Sequence, residues 1–296
     1  MEPLRQSTIY SYLRCPYQHL LKTTDPSTQT FRHPSAIHGT VIHQLIRRLH
    51  AGEWEMDVRE AYAEAFDHEV SHGQNNNLPV RWKDDVEERE AFLADAVAML
   101  EGYRSKDYNR SCRVLMAEAK FTVKMGRQTL TGTIDQVREN QDGSIELVDF
   151  KTGRTTPPDA FVAIDYQLSI YAYALRFGTL LVDGSLQQPH LLPDRLTVYF
   201  LRHHIPYKRA TNGKSAGEER GDPRISTTRS LEQLRALKDD VSAVAKMIKS
   251  GCFPRSPDPL KCGTCPFADT CRGSASDARV SHARLEALVT QLKEAI

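Results

Sequence analysis

Two short β-prone runs, each ending in charged residues and separated by a turn, constrain the fold of this chain most strongly. The first run, at 128–137, contains Gly132-Thr-Ile-Asp135, and the second is Leu147-Val-Asp149-Phe-Lys151-Thr-Gly153. Asn140-Gln-Asp-Gly143 between them has the composition of a hairpin turn. Because side chains alternate between the two faces of a strand, Asp149 and Lys151 should project side by side. The sequence therefore predicts two carboxylates and a lysine at one end of a small sheet.

Charges gathered in this way have to be offset. Their removal from water costs free energy, and a bound cation can compensate for that cost. Carboxylate oxygens are hard ligands that suit Mg²⁺ or Mn²⁺. The end of this sheet is therefore the candidate active centre.

Size and charge leave several classes of protein open. The chain has 296 residues, enough for one large domain or two modest ones. It has no apolar run long enough to cross a bilayer and no secretory signal at its start, so we expect a cytoplasmic protein with no membrane partner. The net charge is +1, which neither demands nor excludes nucleic acid.

Helical spacing of apolar residues predicts a helix at 36–50 that carries His43. A histidine on such a helix is commonly a hydrogen-bonded core residue, and that interpretation stays open at this point. Two acid-rich amphipathic helices at 55–72 and 83–108 follow, and we expect them to form a helical insertion with a solvated face.

Two further elements carry candidate side chains. A strand at 113–125 contains Glu118, which is either a ligand or an exposed strand residue. A helix at 159–177 contains Gln167 and Tyr171, which lie four residues apart and therefore on one face. An ordinary amphipathic helix with a buried tyrosine is the alternative for this pair.

The cysteines indicate a metal site. In a reducing compartment disulfides are disfavoured, so clustered cysteines point to metal. Cys262-Gly-Thr-Cys265-Pro-Phe-Ala-Asp-Thr-Cys271 offers three local ligands, and Cys15-Pro16 is the candidate for the fourth. Spacing alone allows zinc or an iron–sulfur cluster. Cys252 is a less suitable further candidate, and Cys112 is expected to be a buried thiol.

The ordered set of motifs resembles the PD-(D/E)xK nuclease superfamily. The version here resembles its RecB-like exonuclease branch, in the subset with an iron–sulfur cluster. That subset includes the AddB C-terminal domain, CRISPR-associated nucleases and flap-processing helicase–nucleases. The motifs appear in the family's order: Cys15-Pro, Gly39-x-x-x-His43, Gly132-Thr-Ile-Asp135, Asp149-Phe-Lys151, Gln167-x-x-x-Tyr171 and the cysteine triplet.

The resemblance implies an α/β fold with a restriction-endonuclease-like core, in which helices flank a mixed central sheet. A helical insertion at 51–110 and a cysteine-cluster region that joins the N- and C-terminal parts would complete it. The implied division is an N-terminal segment at 1–35, a nuclease core at 36–250, and a cysteine-cluster region with a terminal helix at 251–296.

The resemblance also implies a role for each candidate residue. The catalytic residues would be Asp135, Asp149 and Lys151, and the metal ligands would be His43, Asp135, Asp149 and the Phe150 carbonyl. Gln167 and Tyr171 would hold the substrate strand, and Glu118 is a secondary candidate near the metal. The 4Fe–4S cluster would be bound by Cys15, Cys262, Cys265 and Cys271, with Zn²⁺ as the alternative occupant.

The implied function is a Mg²⁺- or Mn²⁺-dependent deoxyribonuclease, an exonuclease rather than an endonuclease. Its partner would be single-stranded DNA or duplex ends, together with a separate helicase or another recombination or CRISPR protein. The implied setting is DNA repair, recombination or CRISPR adaptation. Two alternatives remain: a non-catalytic DNA-binding subunit and a zinc-stabilised endonuclease of the same fold.

Overall fold

The computed structural model of the chain describes residues 3–75, 78–207, 215, 217, 218 and 220–272. The strands are β1 (Leu4–Arg5), β2 (Arg113–Met125), β3 (Gln128–Glu139), β4 (Ile145–Lys151), β5 (Thr179–Val182), β6 (Ser185–Gln187), β7 (Arg195–Phe200) and β8 (Arg224–Thr227). The helices are α1 (Gln6–Arg14), α2 (Pro16–Thr24), α3 (Pro34–His50), α4 (Val58–Asn75), α5 (Asp85–Arg104), α6 (Asp107–Arg110), α7 (Asp159–Ala163), α8 (Tyr166–Phe177), α9 (Leu231–Lys249), α10 (Pro259–Gly263) and α11 (Ala268–Arg272).

The strands form one mixed sheet in the order β6-β5-β2-β3-β4-β7-β8, and β1 pairs with β3. β2, β3 and β4 are antiparallel neighbours, whereas β4 and β7 run parallel. The parallel pair needs a long crossover, and α7, α8 and the β5–β6 hairpin supply it. The predicted fold class, a mixed central sheet flanked by helices, is confirmed.

Strand alternation divides the core between the two faces of this sheet. Leu147 packs on one face in a cluster with residues of α1, α2, α8 and α9. Its neighbours Val148 and Phe150 point to the other face and pack with α3, α4 and α5. A helix from either face can therefore deliver a side chain to the same end of β4.

Three local predictions were incomplete. The helix expected at 159–177 is two helices, because Asp165 begins a new one by accepting a hydrogen bond from the Leu168 backbone N–H at 2.8 Å. The sequence did not predict the β5–β6 hairpin or β8. The two insertion helices form, with bounds shifted by a few residues to those of α4 and α5.

The cysteine-bearing region is attached to the N-terminal region. The Tyr12 hydroxyl donates to the Cys252 carbonyl at 2.5 Å, and the Thr30 backbone N–H donates to the Pro266 carbonyl at 3.3 Å. Nε2 of His33 lies 2.8 Å from the Thr264 carbonyl. The terminal helix expected within 273–296 lies outside the described residues, and the division at 35 and 250 stays a prediction.

Among the helices described in the structure, none combines the length and the apolar character that a membrane crossing would require.

Candidate active site

Three neighbouring strands bring three acidic residues to one level of the sheet. The pairs Ala117–Gln136 and Ala119–Ile134 flank Glu118 and Asp135, which therefore face each other across β2 and β3. The ladder between β3 and β4 runs to the pair Gln136–Val148, and Asp135 and Asp149 are the next residues beyond it. At this point the Asp135 carboxylate accepts a hydrogen bond from the Phe150 backbone N–H at 2.9 Å.

Glu118 has a backbone conformation that is rare for a residue with a side chain. Its φ is +48°, in the left-handed region, although it lies inside the long strand β2. Burial raises the pKa of its carboxyl, and the charge of Asp135 raises it further. Strained residues of this kind persist where the surrounding structure holds them, often at functional sites.

His43 reaches the site from α3, on the opposite side of the sheet from Lys151. Its Nε2 lies 3.0 Å from the Phe150 carbonyl oxygen and its Nδ1 lies 3.5 Å from Asp135 Oδ2. Burial lowers the pKa of His43, but the hydrogen bond and charge of Asp135, with the charges of Asp149 and Glu118, raise it above the ordinary value. The surrounding carboxylates therefore favour the protonated form of the imidazole.

Asp149 and Lys151 lie side by side, as strand alternation predicts. Lys151 Nζ is 2.6 Å from Asp149 Oδ2, whereas Asp149 Oδ1 is buried and has no hydrogen-bond partner in the described structure. Burial raises the pKa of Asp149 to about 6; Lys151 lowers it and Asp135 raises it. The Lys151 side chain is 40% exposed.

The Gln167–Tyr171 pair on α8 contacts the lysine. Lys151 Nζ donates to Gln167 Oε1 at 2.9 Å, and Gln167 Nε2 donates to the Tyr171 hydroxyl at 2.8 Å. Tyr171 is only 3% exposed and its ring packs against Phe121. This chain of hydrogen bonds holds the ammonium group of Lys151 from the side opposite Asp149.

These donor atoms fit a divalent cation. One ligand atom from each of His43, Glu118 and Asp135 lies within 4.8 Å of the other two. The predicted ligand Asp149 is not in this group, although it has a buried carboxylate oxygen without a partner, which is costly unless a ligand or ion satisfies it. The Phe150 carbonyl already accepts from His43 and has a second lone pair for an ion.

Two basic residues at the site did not enter the sequence prediction. Arg47 and Lys120 line the cleft that contains His43 and Glu118, and both side chains are exposed. Arg47 follows His43 by four residues on one helix face, and that spacing was a usable signal. Lys120 follows Glu118 by two residues, but its approach to His43 depends on the packing of α3 against β2.

The four cysteines assigned to a cluster line one cavity. Cys15 stands between α1 and α2, and Cys262, Cys265 and Cys271 come from α10, α11 and the turn between them. Tyr17, Leu21 and Phe267 contribute the apolar walls of this cavity. Cys252 is exposed and Cys112 is half-buried, and neither lines it.

The thiols in this cavity influence one another. Burial raises the pKa of Cys265, and the other three cysteines raise it further. Burial also raises the pKa of Cys271, although a hydrogen bond and charge from Arg255 lower it. In the part of the chain that the structure describes, no three cysteine sulfurs lie within 4.8 Å of one another.

The fold and the site together define an α/β protein with an acidic, lysine-bearing centre at the end of a mixed sheet. A family model described as the PD-(D/E)XK nuclease superfamily matches residues 3–272. The chain belongs to this superfamily, and its membership supports a metal-dependent nuclease.

The comparisons with curated proteins and with solved structures add no further family assignment. No curated protein matches the sequence. Among solved structures, the crystal structure of a protein named SSO0001 is similar at a TM-score of 0.32 and 12% sequence identity, with 84% of this chain and 92% of that chain covered.

Proposed function

We propose that this protein is a Mg²⁺- or Mn²⁺-dependent deoxyribonuclease that acts as an exonuclease on single-stranded DNA or duplex ends. The observation that carries the proposal is the convergence of His43, Glu118 and Asp135 within 4.8 Å, next to the buried carboxylate of Asp149 and the ammonium of Lys151. Structural ion-pair networks rarely leave a buried carboxylate oxygen unpartnered, and Asp149 has one.

The site residues would have different roles in phosphodiester hydrolysis. Asp135, Asp149, His43 and the Phe150 carbonyl would hold the ion, with Glu118 as a further ligand. When bound, the ion supplies Lewis acidity and makes water a better nucleophile. Oxygen donors from acids and a carbonyl suit Mg²⁺, and the imidazole makes Mn²⁺ acceptable as well.

Lys151 would stabilise the negative charge that develops on the phosphate. Its ammonium is fixed between Asp149 Oδ2 at 2.6 Å and Gln167 Oε1 at 2.9 Å, so little reorganisation is needed during the reaction. Burial lowers the pKa of Lys151, but Asp149 raises it above the ordinary value, so the group stays charged at neutral pH. Gln167 contacts Lys151 and would hold the strand beside it, whereas the burial of Tyr171 favours a positioning role.

A DNA strand as substrate agrees with the charges around the site. Arg47 and Lys120 are exposed cations in the cleft, and they can pair with the phosphates that flank the scissile bond. The RecB-like resemblance supports exonuclease action, a cytoplasmic role in DNA repair, recombination or CRISPR adaptation, and a separate helicase partner.

We assign a structural 4Fe–4S cluster to the cavity lined by Cys15, Cys262, Cys265 and Cys271. The RecB-like resemblance favours an iron–sulfur cluster with thiolate ligands over zinc at this place. Such a group would join residue 15 to residues beyond 260 and close a very long loop.

One experiment tests the nuclease assignment. DNA labelled at the 5′ or 3′ end, as single strands, duplexes and circles, is incubated with the protein in Mg²⁺, Mn²⁺ or EDTA. We expect metal-dependent shortening of linear strands and no cleavage of circles. Lys151→Ala should abolish cleavage, while Lys124→Ala, which alters an exposed lysine elsewhere on β2, should not.

The same assay distinguishes the alternatives. A non-catalytic DNA-binding subunit would bind the labelled strands and leave them intact with either metal. A zinc-stabilised endonuclease would cut the circles, and the purified protein would be colourless. Cleavage retained in a clean preparation of Lys151→Ala would refute the assignment of this lysine.

A further inference from the structure

A second cleft opens at the N-terminal turn of α3, separate from the one that contains His43. The first turn of α3, the loop before α5, the residues after Lys151 and the turn between Cys262 and Cys265 form its walls. Four basic residues line it: Arg81, Lys83, Arg154 and Arg202. Arg202 is paired with Asp95 at 2.6 Å, whereas the other three are exposed and, within the described residues, none of them is in an ion pair.

The helix end in this cleft is suited to an anion. α3 has 17 residues, no acidic residue in its first turn and no side-chain cap at its N-terminus. Pro34 has no N–H and the Ala36 N–H donates to the His33 carbonyl at 3.0 Å, so it is the helix dipole that places partial positive charge at this end. Glu88 is an acidic residue in the lining, and its carboxylate accepts the Lys83 backbone N–H at 2.9 Å.

His38 supplies an independent observation at the same place. It lines the cleft and is only 1% exposed, and its Nδ1 lies 2.7 Å from the Tyr62 hydroxyl. Its Nε2 is buried and has no hydrogen-bond partner in the described structure. A buried ring nitrogen left in this state costs free energy unless a ligand satisfies it.

The ring of His38 is neutral, so one of its nitrogens is a hydrogen-bond donor and the other is an acceptor. Burial lowers its pKa to about 4, and the charges of Arg202 and Arg154 act in the same direction. If the Tyr62 hydroxyl donates to Nδ1, the Nε2 atom carries the proton and is a donor. A phosphate oxygen is an acceptor that matches it.

We propose that this cleft binds a phosphate of a single DNA strand, next to the phosphate held at His43 and Lys151. His38 Nε2, the first turn of α3 and the cations Arg81, Lys83 and Arg154 would contact it. The inference rests on the proposed function, because it takes the neighbouring cleft to be the site of cleavage.

The two clefts are neighbours along α3, and their linings are made by successive residues of that helix. His38 and His43 are five residues apart on α3, so they are separated by about 7.5 Å along the helix axis. Thr152 and Gly153 lead directly from Lys151 into the second cleft. A Cβ at Gly39 would lie 3.2 Å from Thr152 Oγ1, so α3 is packed tightly against this segment. An extended strand can therefore follow α3 from one cleft to the other.

The test measures binding without cleavage. Fluorescein-labelled oligothymidylate is titrated in EDTA at salt concentrations between about 50 and 200 mM, with fluorescence anisotropy as the readout. Arg81→Ala/Lys83→Ala/Arg154→Ala should bind about 10-fold more weakly and reduce the log–log salt slope by about 0.7 for each phosphate that is no longer neutralised. The control Arg235→Ala/Lys238→Ala/Lys246→Ala removes the same charge from exposed positions on α9 and should leave both values close to wild type.

Two variants of His38 test whether its Nε2 atom contributes to the binding of the strand. His38→Gln places an amide near the Nε2 position and should retain affinity, whereas His38→Asn keeps only the Nδ1 position and should bind several-fold more weakly. Thermal unfolding identifies folded variants, and if neither folds the three-cation variant decides the question.

The outcomes separate this inference from the proposed function. If the wild type cleaves DNA while the three-cation variant binds like its α9 control, the cleft assignment is overturned and the nuclease stands. If the wild type never cleaves but loss of the three cations weakens binding, the cleft stands and the nuclease does not. An equal loss of affinity for a blunt duplex would overturn the assignment to a single strand.

Discussion

Glu118 on β2 and Asp135 on β3 occupy opposing positions, and each has a carboxylate oxygen within 4.8 Å of a His43 nitrogen. Glu118 keeps this position with φ at +48°. The left-handed conformation costs a residue with a side chain about 1–2 kcal/mol. The backbone of β2 is therefore strained where it presents a carboxylate to the site, which agrees with a functional role for Glu118.

The strain at Glu118 can be measured with two variants that remove the same carboxylate. Glu118→Gly should be more stable than Glu118→Ala by about 1 kcal/mol, because glycine adopts positive φ without the steric cost. Both variants should lose affinity for Mn²⁺. Urea unfolding and Mn²⁺ titration are the measurements, and equal stability of the two variants would show that the backbone is not strained.

Metal binding should stabilise the folded protein through the buried carboxylate of Asp149. Mn²⁺ at about 100 times its dissociation constant is expected to add about 2.7 kcal/mol to the free energy of unfolding. Asp149→Asn should lose most of this gain, because the amide neither carries charge nor replaces the unpartnered oxygen. Thermal unfolding with and without Mn²⁺ measures the difference. Asp239→Asn, an exposed change on α9, should respond like the wild type.

Gln167 should affect the rate of cleavage more than the binding of substrate. Gln167→Ala removes the acceptor 2.9 Å from Lys151 Nζ, so the ammonium keeps only Asp149 as a partner. We expect kcat to fall about 10-fold with KM changed less than 2-fold, the pattern of an interaction realised mainly in the transition state. Tyr171→Phe removes only the hydroxyl and should have a smaller effect. A rise in KM with unchanged kcat would instead indicate strand binding.

The parts of the site that local patterns determine could be predicted from the sequence. The alternation of side chains along β4 was enough to place Asp149 beside Lys151. The helical spacing of apolar residues was enough to predict α3, the helix that carries His43. The order of motifs was enough to identify the superfamily to which the chain belongs. The proximity of Cys15 to the distant cysteine triplet followed from ligand counting and resemblance.

Other features depend on packing between distant segments, and no local pattern reports them. The positive φ of Glu118 lies within the pairing of β2 with β3, whereas the sequence RVLMAEAKF has the pattern of an ordinary strand. His38 lies on an apolar helix face, and only the packing of Tyr62 shows that one ring nitrogen is satisfied and the other is not. The break before α8 depends on Asp165, a weak signal inside an apolar run.

The cysteine cavity should be needed for folding rather than for chemistry. Cys271→Ser is expected to give poorly folded or insoluble protein, because residue 15 and the residues beyond 260 would lose the group proposed to join them. Cys112→Ser alters a half-buried thiol outside the cavity and should remain soluble with normal iron content. Solubility, iron content and visible absorbance of anaerobically purified protein are the measurements. A stable Cys271→Ser protein that lacks iron but cleaves normally would contradict this role.

Three histidines, of which His38 is buried and His50 and His204 are half-buried, should make the protein less stable in mild acid. Burial, assisted by nearby positive charge, lowers the pKa of each to about 4, against an ordinary value of 6.5. Each histidine is hydrogen-bonded to a tyrosine, in the pairs His38–Tyr62, His50–Tyr103 and His204–Tyr199. The unfolded chain binds protons at these sites near pH 6.5 and the folded chain does not until about pH 4, so the free energy of unfolding decreases as the pH falls through this window.

The measurement is urea unfolding at several pH values between 7.5 and 4.5, followed by tryptophan fluorescence. Both tryptophans, Trp54 and Trp82, pack against the core cluster that contains these three tyrosines, so they report its unfolding directly. His50→Gln removes one titrating ring while the amide can still bond Tyr103, and its stability should depend less on pH than that of the wild type. A pH dependence of His50→Gln equal to that of the wild type would contradict the assignment, because the His50 ring would then bind protons equally well in the folded and unfolded chain. The comparison with this variant is needed because the raised pKa values of Asp149, Glu118 and His43 act in the opposite direction in the wild type.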